Sequence, residues 1–219
     1  MSKRAEQKQQ TRRAILDAAL RLSSGRGFSS VSLRAVAKEA GIAPNAFYRH
    51  FKDLDDLALA LADQVGLSLR QLVRQARRSV HEAGDGKVVR TSIKLFMEFA
   101  ENDSNLFRLL LGEGAGSTPA FRKAIHLEVK RFTSDLEEDL TREAEALGRP
   151  IAHAELAAEA MVTIAFNLGA GAIDLPREER LVVLERIIQQ VRIIMRGAEA
   201  MAAGWEPDGS TPAAPEPPG

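Results

Sequence analysis

Apolar residues recur along this chain at steps of three and four, and no stretch alternates convincingly between apolar and polar, so the pattern predicts helices throughout. Ile15, Ala18, Ala19 and Leu22 form one face of a first helix that ends at Gly25 and Gly27. Ser30 or Ser32 caps a short second helix carrying Leu33, Val36 and Ala37 and stopped at Gly41. Pro44 suits the first turn of a third helix, where its missing N–H costs nothing, and that helix carries Phe47 and Phe51. Asp53 caps a long fourth helix, with Asp55 and Asp56 in its first turn, running to about His81. Further helices are expected near 88–101, 104–111, 119–147, 153–174 and 177–203, with 112–119 (GEGAGSTP) as a flexible connection. Three units follow: a helix-turn-helix head (1–52), a helical body (53–203), and a tail (204–219) whose five prolines in the last thirteen residues predict disorder.

Charge changes the picture. The formal net charge is zero, yet residues 1–52 hold eleven Lys and Arg against three acids, which leaves 19 basic and 27 acidic residues for the rest. A basic head on an acidic body points to a polyanion-binding module attached to something with another task. Cysteine is absent, which excludes a disulfide framework, a thiol nucleophile and a cysteine-ligated metal. The polar N-terminus lacks a secretory signal, and the low-charge run 160–175 is too short to span a bilayer, so a cytoplasmic setting without membrane contact is expected.

Three short helices separated by Gly turns read as a helix-turn-helix. Phe47 and Phe51 share a face and anchor the third helix, so Asn45, Tyr48, Arg49 and Lys52 face solvent. Such a helix fits the major groove of DNA. Ala43 in the capping position cannot satisfy the exposed N–H groups beside Pro44, and a phosphate could accept them. Asn45 can pair with an adenine edge, Tyr48 and His50 can bond phosphate oxygens, and Lys52 adds charge. Ser32 and Arg34 on the second helix complete the expected DNA-binding set.

The stretch "TRRAILDAALRLSSGRGFSSVSLRAVAKEAGIAPNAFYRHFKDLDDL" resembles the DNA-binding domain of TetR-family transcriptional regulators. The likeness rests on a first helix ending in a G-x-G-F step, "SLRAVAKEAGIA", an aromatic "FYRHF" recognition helix and the acidic start of the fourth helix. It implies an all-α homodimer that binds a palindromic operator and responds to a small molecule in its C-terminal domain. It also implies phosphate contacts from Tyr48, His50 and Lys52.

In the last helix Leu181, Leu184, Ile188, Val191 and Met195 follow at steps of three and four, a heptad-like stripe. Gly169 and Ala172 on the helix before it permit close approach, and the resemblance favours a four-helix dimer bundle over a single-chain core. Phe96, Phe99, Phe107, Phe121, Phe132 and Phe166, with Leu110 and Met161, can line a largely apolar pocket as well as fill a core. On the fourth helix Leu69 and Val73 are expected to join that pocket. A ligand with anionic groups would need basic partners at its mouth, for which Arg70, Arg74, Arg77 and Arg78 on that helix are candidates, with Arg108, Arg122, Lys123 and Lys130 as others.

A narrower resemblance rests on "GLSLRQLVRQAR", "RTSIKLFMEFAENDSNLFRLLL" and "EAMVTIAFNLGAGAIDL" together with the recognition segment. These look like a TetR subgroup that represses unsaturated-fatty-acid synthesis and desaturation genes, which implies long-chain acyl-CoA as effector and no bound cofactor. Another apolar ligand, drug-like or aromatic, stays open as the alternative. A catalytic reading has little to build on, with four scattered histidines and no Gly-rich phosphate loop. A helical adaptor would differ in lacking steeply salt-dependent DNA binding.

Overall fold

The computed structural model describes residues 3–23, 27–83, 87–111 and 118–205. The protein is all-α. Among the described residues the backbone forms α1 (Lys3–Ser23), a 3-10 turn (Phe28–Ser30), α2 (Leu33–Glu39), α3 (Pro44–Phe47), α4 (Leu54–Ala83), α5 (Val88–Asn102), α6 (Ser104–Leu111), α7 (Pro119–Ala146), α8 (Ala154–Ala172) and α9 (Arg177–Ala202). The stop expected at Gly25, the connection at 112–117 and the tail from Glu206 lie outside the described residues.

Capping chemistry sets the boundaries of the head. Ser32 is the cap of α2: its hydroxyl accepts the Ala35 N–H at 3.2 Å, whereas the Ser30 hydroxyl donates to the Gly27 carbonyl at 2.9 Å. At Gly41, φ is +69°, a left-handed turn that suits glycine, and the Ile42 N–H donates back to the Ala37 carbonyl at 2.9 Å. Asp53 caps α4 by accepting the Asp56 N–H at 2.8 Å, while Asp56 accepts the Lys52 N–H at 2.9 Å. The reciprocal pair fixes the angle at which the chain leaves the head.

The third helix is shorter than expected. It ends at Phe47, and residues 48–50 continue as turns in which the His50 and Phe51 N–H groups both donate to the Phe47 carbonyl, at 2.9 and 3.1 Å. Phe51 therefore reaches the core from a turn and meets Phe47 at a ring separation of 5.6 Å. Phe47 and Phe51 are buried, and each contributes about 2–3 kcal/mol by the area it removes from water.

The body is a helical bundle in which α4 packs along α7, α8 along α9, and α5 lies against both α4 and α9. Ion pairs Arg90–Glu185 and Arg180–Glu101 tie α5 to α9 across the surface. Head and body meet where Phe28 contacts Phe121 at 5.4 Å, and α1 also touches α6. The head is thus joined to the body by α4 and by the start of α7.

Candidate nucleic-acid interface and effector cavity

The exposed face of the head carries Arg34, Ala43, Pro44, Asn45, Tyr48, Arg49 and Lys52. Tyr48 is 61% exposed, with its ring edge-on to Phe47 at 5.9 Å and the rest open to solvent. Ala43 makes no side-chain cap; its carbonyl accepts the Ala46 N–H at 2.8 Å, and Pro44 brings no N–H to the start of α3. Ser32 is exposed, with its hydroxyl engaged as the α2 cap. His50 is half-buried, and its Nδ1 has no hydrogen-bond partner. Its carbonyl accepts from Arg12 Nη1 at 2.8 Å, and the Arg12 guanidinium sits 4.2 Å above the Phe51 ring. Burial first, then the positive fields of Lys8, Arg12 and Arg49, hold the His50 imidazole below its ordinary value of 6.5.

Inside the body a cavity of about 800 Å³ opens between α4, α5, α7, α8 and α9. Five of the residues expected to line a pocket do so: Val73, Phe96, Phe132, Met161 and Phe166. The Phe166 ring stacks on Phe96 at 5.6 Å and on Phe132 at 5.7 Å, which makes a continuous aromatic wall.

The other seven lie elsewhere. Phe107 is fully buried behind this wall, edge-on to Phe96 and Phe166, with Phe99 edge-on to it in turn. Leu110 is buried on α6, whose residues do not reach the cavity, and Leu69 is core one turn of α4 nearer the head. Phe121 is used in the joint with Phe28. Arg70 donates to Glu128 at 2.8 Å, and Arg74 is exposed off the cavity. Two of the residues expected in the dimer seam, Val191 and Met195, stand in the lining of this cavity.

Sequence reasoning missed the aliphatic lining from Leu72, Val89, Ile93, Leu136 and Leu140, whose helical spacing was indistinguishable from ordinary core. Of the rim, where Arg77, Arg142, Arg149, Arg192 and Arg196 converge from α4, α7 and the segment after it, and α9, sequence reasoning found only Arg77. Asp139, Glu143 and Glu199 stand among them. Arg77 donates to Asp139 at 2.9 Å, and Glu199 takes Arg149 at 2.7 Å and Arg196 at 3.2 Å. Arg192 is exposed and makes no close ion pair among the described residues, acting on Glu185 only through its field.

The expected dimer seam divides in two. Gly169, Ala172, Ile188 and Val191 are buried within their own chain, and a Cβ on Gly169 would meet the Phe96 ring at 2.9 Å. Leu184 and Met195 are half-buried against the same core, and only Leu181 is exposed. The outward face is the neighbouring stripe. On α8 it runs Leu156, Ala160, Thr163, Asn167, Gly171, and on α9 Val182, Arg186, Gln189, Ile193, Gly197. Leu156, Val182 and Ile193 are 60%, 69% and 70% exposed, and open space lies in front of Gly171 and Gly197.

Comparison with known proteins agrees with this geometry. Residues 15–61 match the model of the bacterial regulatory proteins, tetR family. The chain is similar in structure to FadR from Bacillus subtilis in complex with stearoyl-CoA, with 16% identity, 84% of this chain and 98% of that one covered, and a TM-score of 0.66. It is similar to the fatty acid degradation regulator FadR from Bacillus halodurans (19% identity, 85% and 95% covered, TM-score 0.67). A third likeness is to SCO4454, a TetR-family transcriptional regulator from Streptomyces coelicolor (23% identity, 87% and 97% covered, TM-score 0.68). At these identities the structural likeness is one of fold. No helix among the described residues is long and apolar enough to cross a membrane.

Proposed function

We propose that the chain is a TetR-type transcriptional regulator, that its effector is a long-chain acyl thioester of coenzyme A, and that it represses genes of fatty-acid desaturation and unsaturated-fatty-acid synthesis. The observation that carries this reading is the pairing of an aromatic and aliphatic cavity with a rim of five arginines. The ligand that satisfies both ends is an amphiphile with a long apolar body and a polyanionic head. Burying a chain of about 16 carbons at ~0.8 kcal/mol per methylene supplies roughly 13 kcal/mol before the costs of ordering. Phosphates would draw Arg192 first, since the other rim arginines already hold carboxylates.

Control of DNA binding runs through α4, which leaves the head at the Asp53 cap and contributes Leu72, Val73, Ala76 and Arg77 to the cavity. An effector can alter operator affinity only by binding one arrangement of the two heads better than another. Acyl chains of different shape fill the space against Phe96 and Phe166 differently, and the resulting displacement of α4 alters the spacing of the heads in a dimer. That dimer forms through the outer stripes of α8 and α9, where Val182 and Ile193 gain the burial they lack in one chain. Calorimetric titration with palmitoyl-CoA tests the ligand: saturable binding that the free thiol coenzyme does not reproduce supports it, and no heat of binding rejects it.

A further inference from the structure

We propose that the exposed first three turns of α1 form a second DNA-contact surface, which carries the footprint from the recognition segment onto the phosphate backbone flanking the operator. The inference rests on the reading of the chain as a DNA-binding regulator. Residues 3–10 of α1 are all exposed, and the buried face of the helix begins only at Ile15. The helix is therefore extended well beyond what its own core uses.

The extension is chemically one-sided. Arg4, Lys8 and Arg12 stand four residues apart on one face, Lys3 and Arg13 flank them, and Glu6 is the single acid in residues 3–13. Its only apolar residue is Ala5, so it offers nothing to a lipid surface or to a partner helix. Gln7, Gln9 and Gln10 add amide donors that suit phosphate and sugar oxygens.

Position completes the argument. Arg12 is fixed to the recognition segment by its bond to the His50 carbonyl and its place over Phe51. One turn earlier, Lys8 is close enough to help depress the titration of His50. From Arg12 to Arg4 the helix advances about 12 Å at 1.5 Å per residue, enough to pass successive phosphates of a strand. The track thus starts where the recognition segment ends and leads away from it. Contacts of this kind add affinity and salt dependence without base preference.

The test compares the full-length protein with Arg4→Gln/Lys8→Gln, using a duplex selected from random DNA by the unsubstituted protein. That duplex is made with and without about six base pairs of flank at each end, some 20 Å of extra helix. The flanks are expected to tighten binding of the unsubstituted protein several-fold and to give the variant nothing. On the flanked duplex the slope of log affinity against log salt should become shallower by about 0.9 for each phosphate that the variant leaves unneutralised, with the preferred sequence unchanged. Hydroxyl-radical protection of the flanking sugars should disappear in the variant. Equal affinities of the two proteins on the flanked duplex, or equal weakening on both duplexes, would overturn the inference while leaving the regulator intact. Failure of the unsubstituted protein to select any sequence would overturn the regulator reading itself.

Discussion

Gly66 on α4 and Glu128 on α7 meet at a single point: a Cβ on Gly66 would fall inside the Glu128 carboxylate. Glu128 is buried, and its two oxygens accept from Arg70 at 2.8 Å and from Arg131 at 2.5 Å. Glycine in the middle of a 30-residue helix costs about 1 kcal/mol against alanine. Here that cost admits a charged clasp between the helix that leaves the head and the helix that walls the cavity.

The clasp should respond asymmetrically to substitution. Arg70→Met leaves a buried carboxylate with one partner and should cost about 2 kcal/mol in chemical denaturation. Glu128→Gln leaves two arginines that water can reach and should cost no more than about 1 kcal/mol. Gly66→Ala should break the clasp despite its better helix propensity and should weaken the effect of ligand on operator binding. Equal costs for Arg70→Met and Glu128→Gln would mean that burial of Glu128 does not govern the joint.

Filling the cavity should separate its two roles. Ala165→Phe places a ring in the void beside Phe166 and should abolish acyl-CoA binding in a calorimetric titration, with operator affinity kept. Phe166→Ala removes the middle ring of the aromatic wall and should destabilise the chain by about 3–5 kcal/mol. Arg192→Ala should weaken palmitoyl-CoA about tenfold at low salt and leave palmitate itself unaffected.

The two stripes of α9 should behave as opposites. Ile193→Glu, on the outer face, should give a folded monomer by sedimentation, with operator binding lost. Ile188→Glu, fully buried in its own chain, should fail to fold as judged by far-ultraviolet dichroism. A folded monomer from Ile188→Glu would show that the inner stripe is the contact between chains.

Proton linkage at His50 has opposite signs for folding and for DNA binding. The folded protein holds this imidazole neutral below 6.5, so the unfolded chain takes the proton first as pH falls. Stability from this group is therefore complete above that value and is lost as pH drops toward the lowered one. A bound phosphate favours the charged form, so binding to operator should take up a proton and tighten from about pH 7.5 to about pH 6. His50→Gln should flatten both dependences, measured by denaturation and by anisotropy across that range.

The head was legible because its signals are local: Gly41 must turn left-handed, Asp53 must cap, and Phe47 with Phe51 must point inward. Each is set by residues within a few positions, so sequence spacing is enough. The length of α3 was not legible, since the turn after Phe47 is imposed by the tight entry into α4. The body mixed core, cavity and contact surface because all three use apolar residues at the same helical step. Periodicity along α9 finds its most apolar stripe, and that stripe packs inside its own chain at Ile188 and lines the cavity at Val191 and Met195. The face that remains is diluted by Arg186, Gln189 and Gly197 and carries no heptad signal. The rest of the arginine rim beyond Arg77 was hidden for another reason: Arg142, Arg149 and Arg192 are far from it in sequence and are gathered only by the packing of α4, α7 and α9.

The most direct measurement is fluorescence anisotropy of operator DNA, taken from upstream of a desaturase or unsaturated-fatty-acid synthesis gene, titrated with the protein alone, with palmitoyl-CoA and with palmitoleoyl-CoA. The expected result is tight, salt-dependent binding whose affinity shifts unequally, or in opposite directions, with the two thioesters. Tight binding that neither thioester alters would leave a TetR-type regulator and contradict acyl-CoA as its effector.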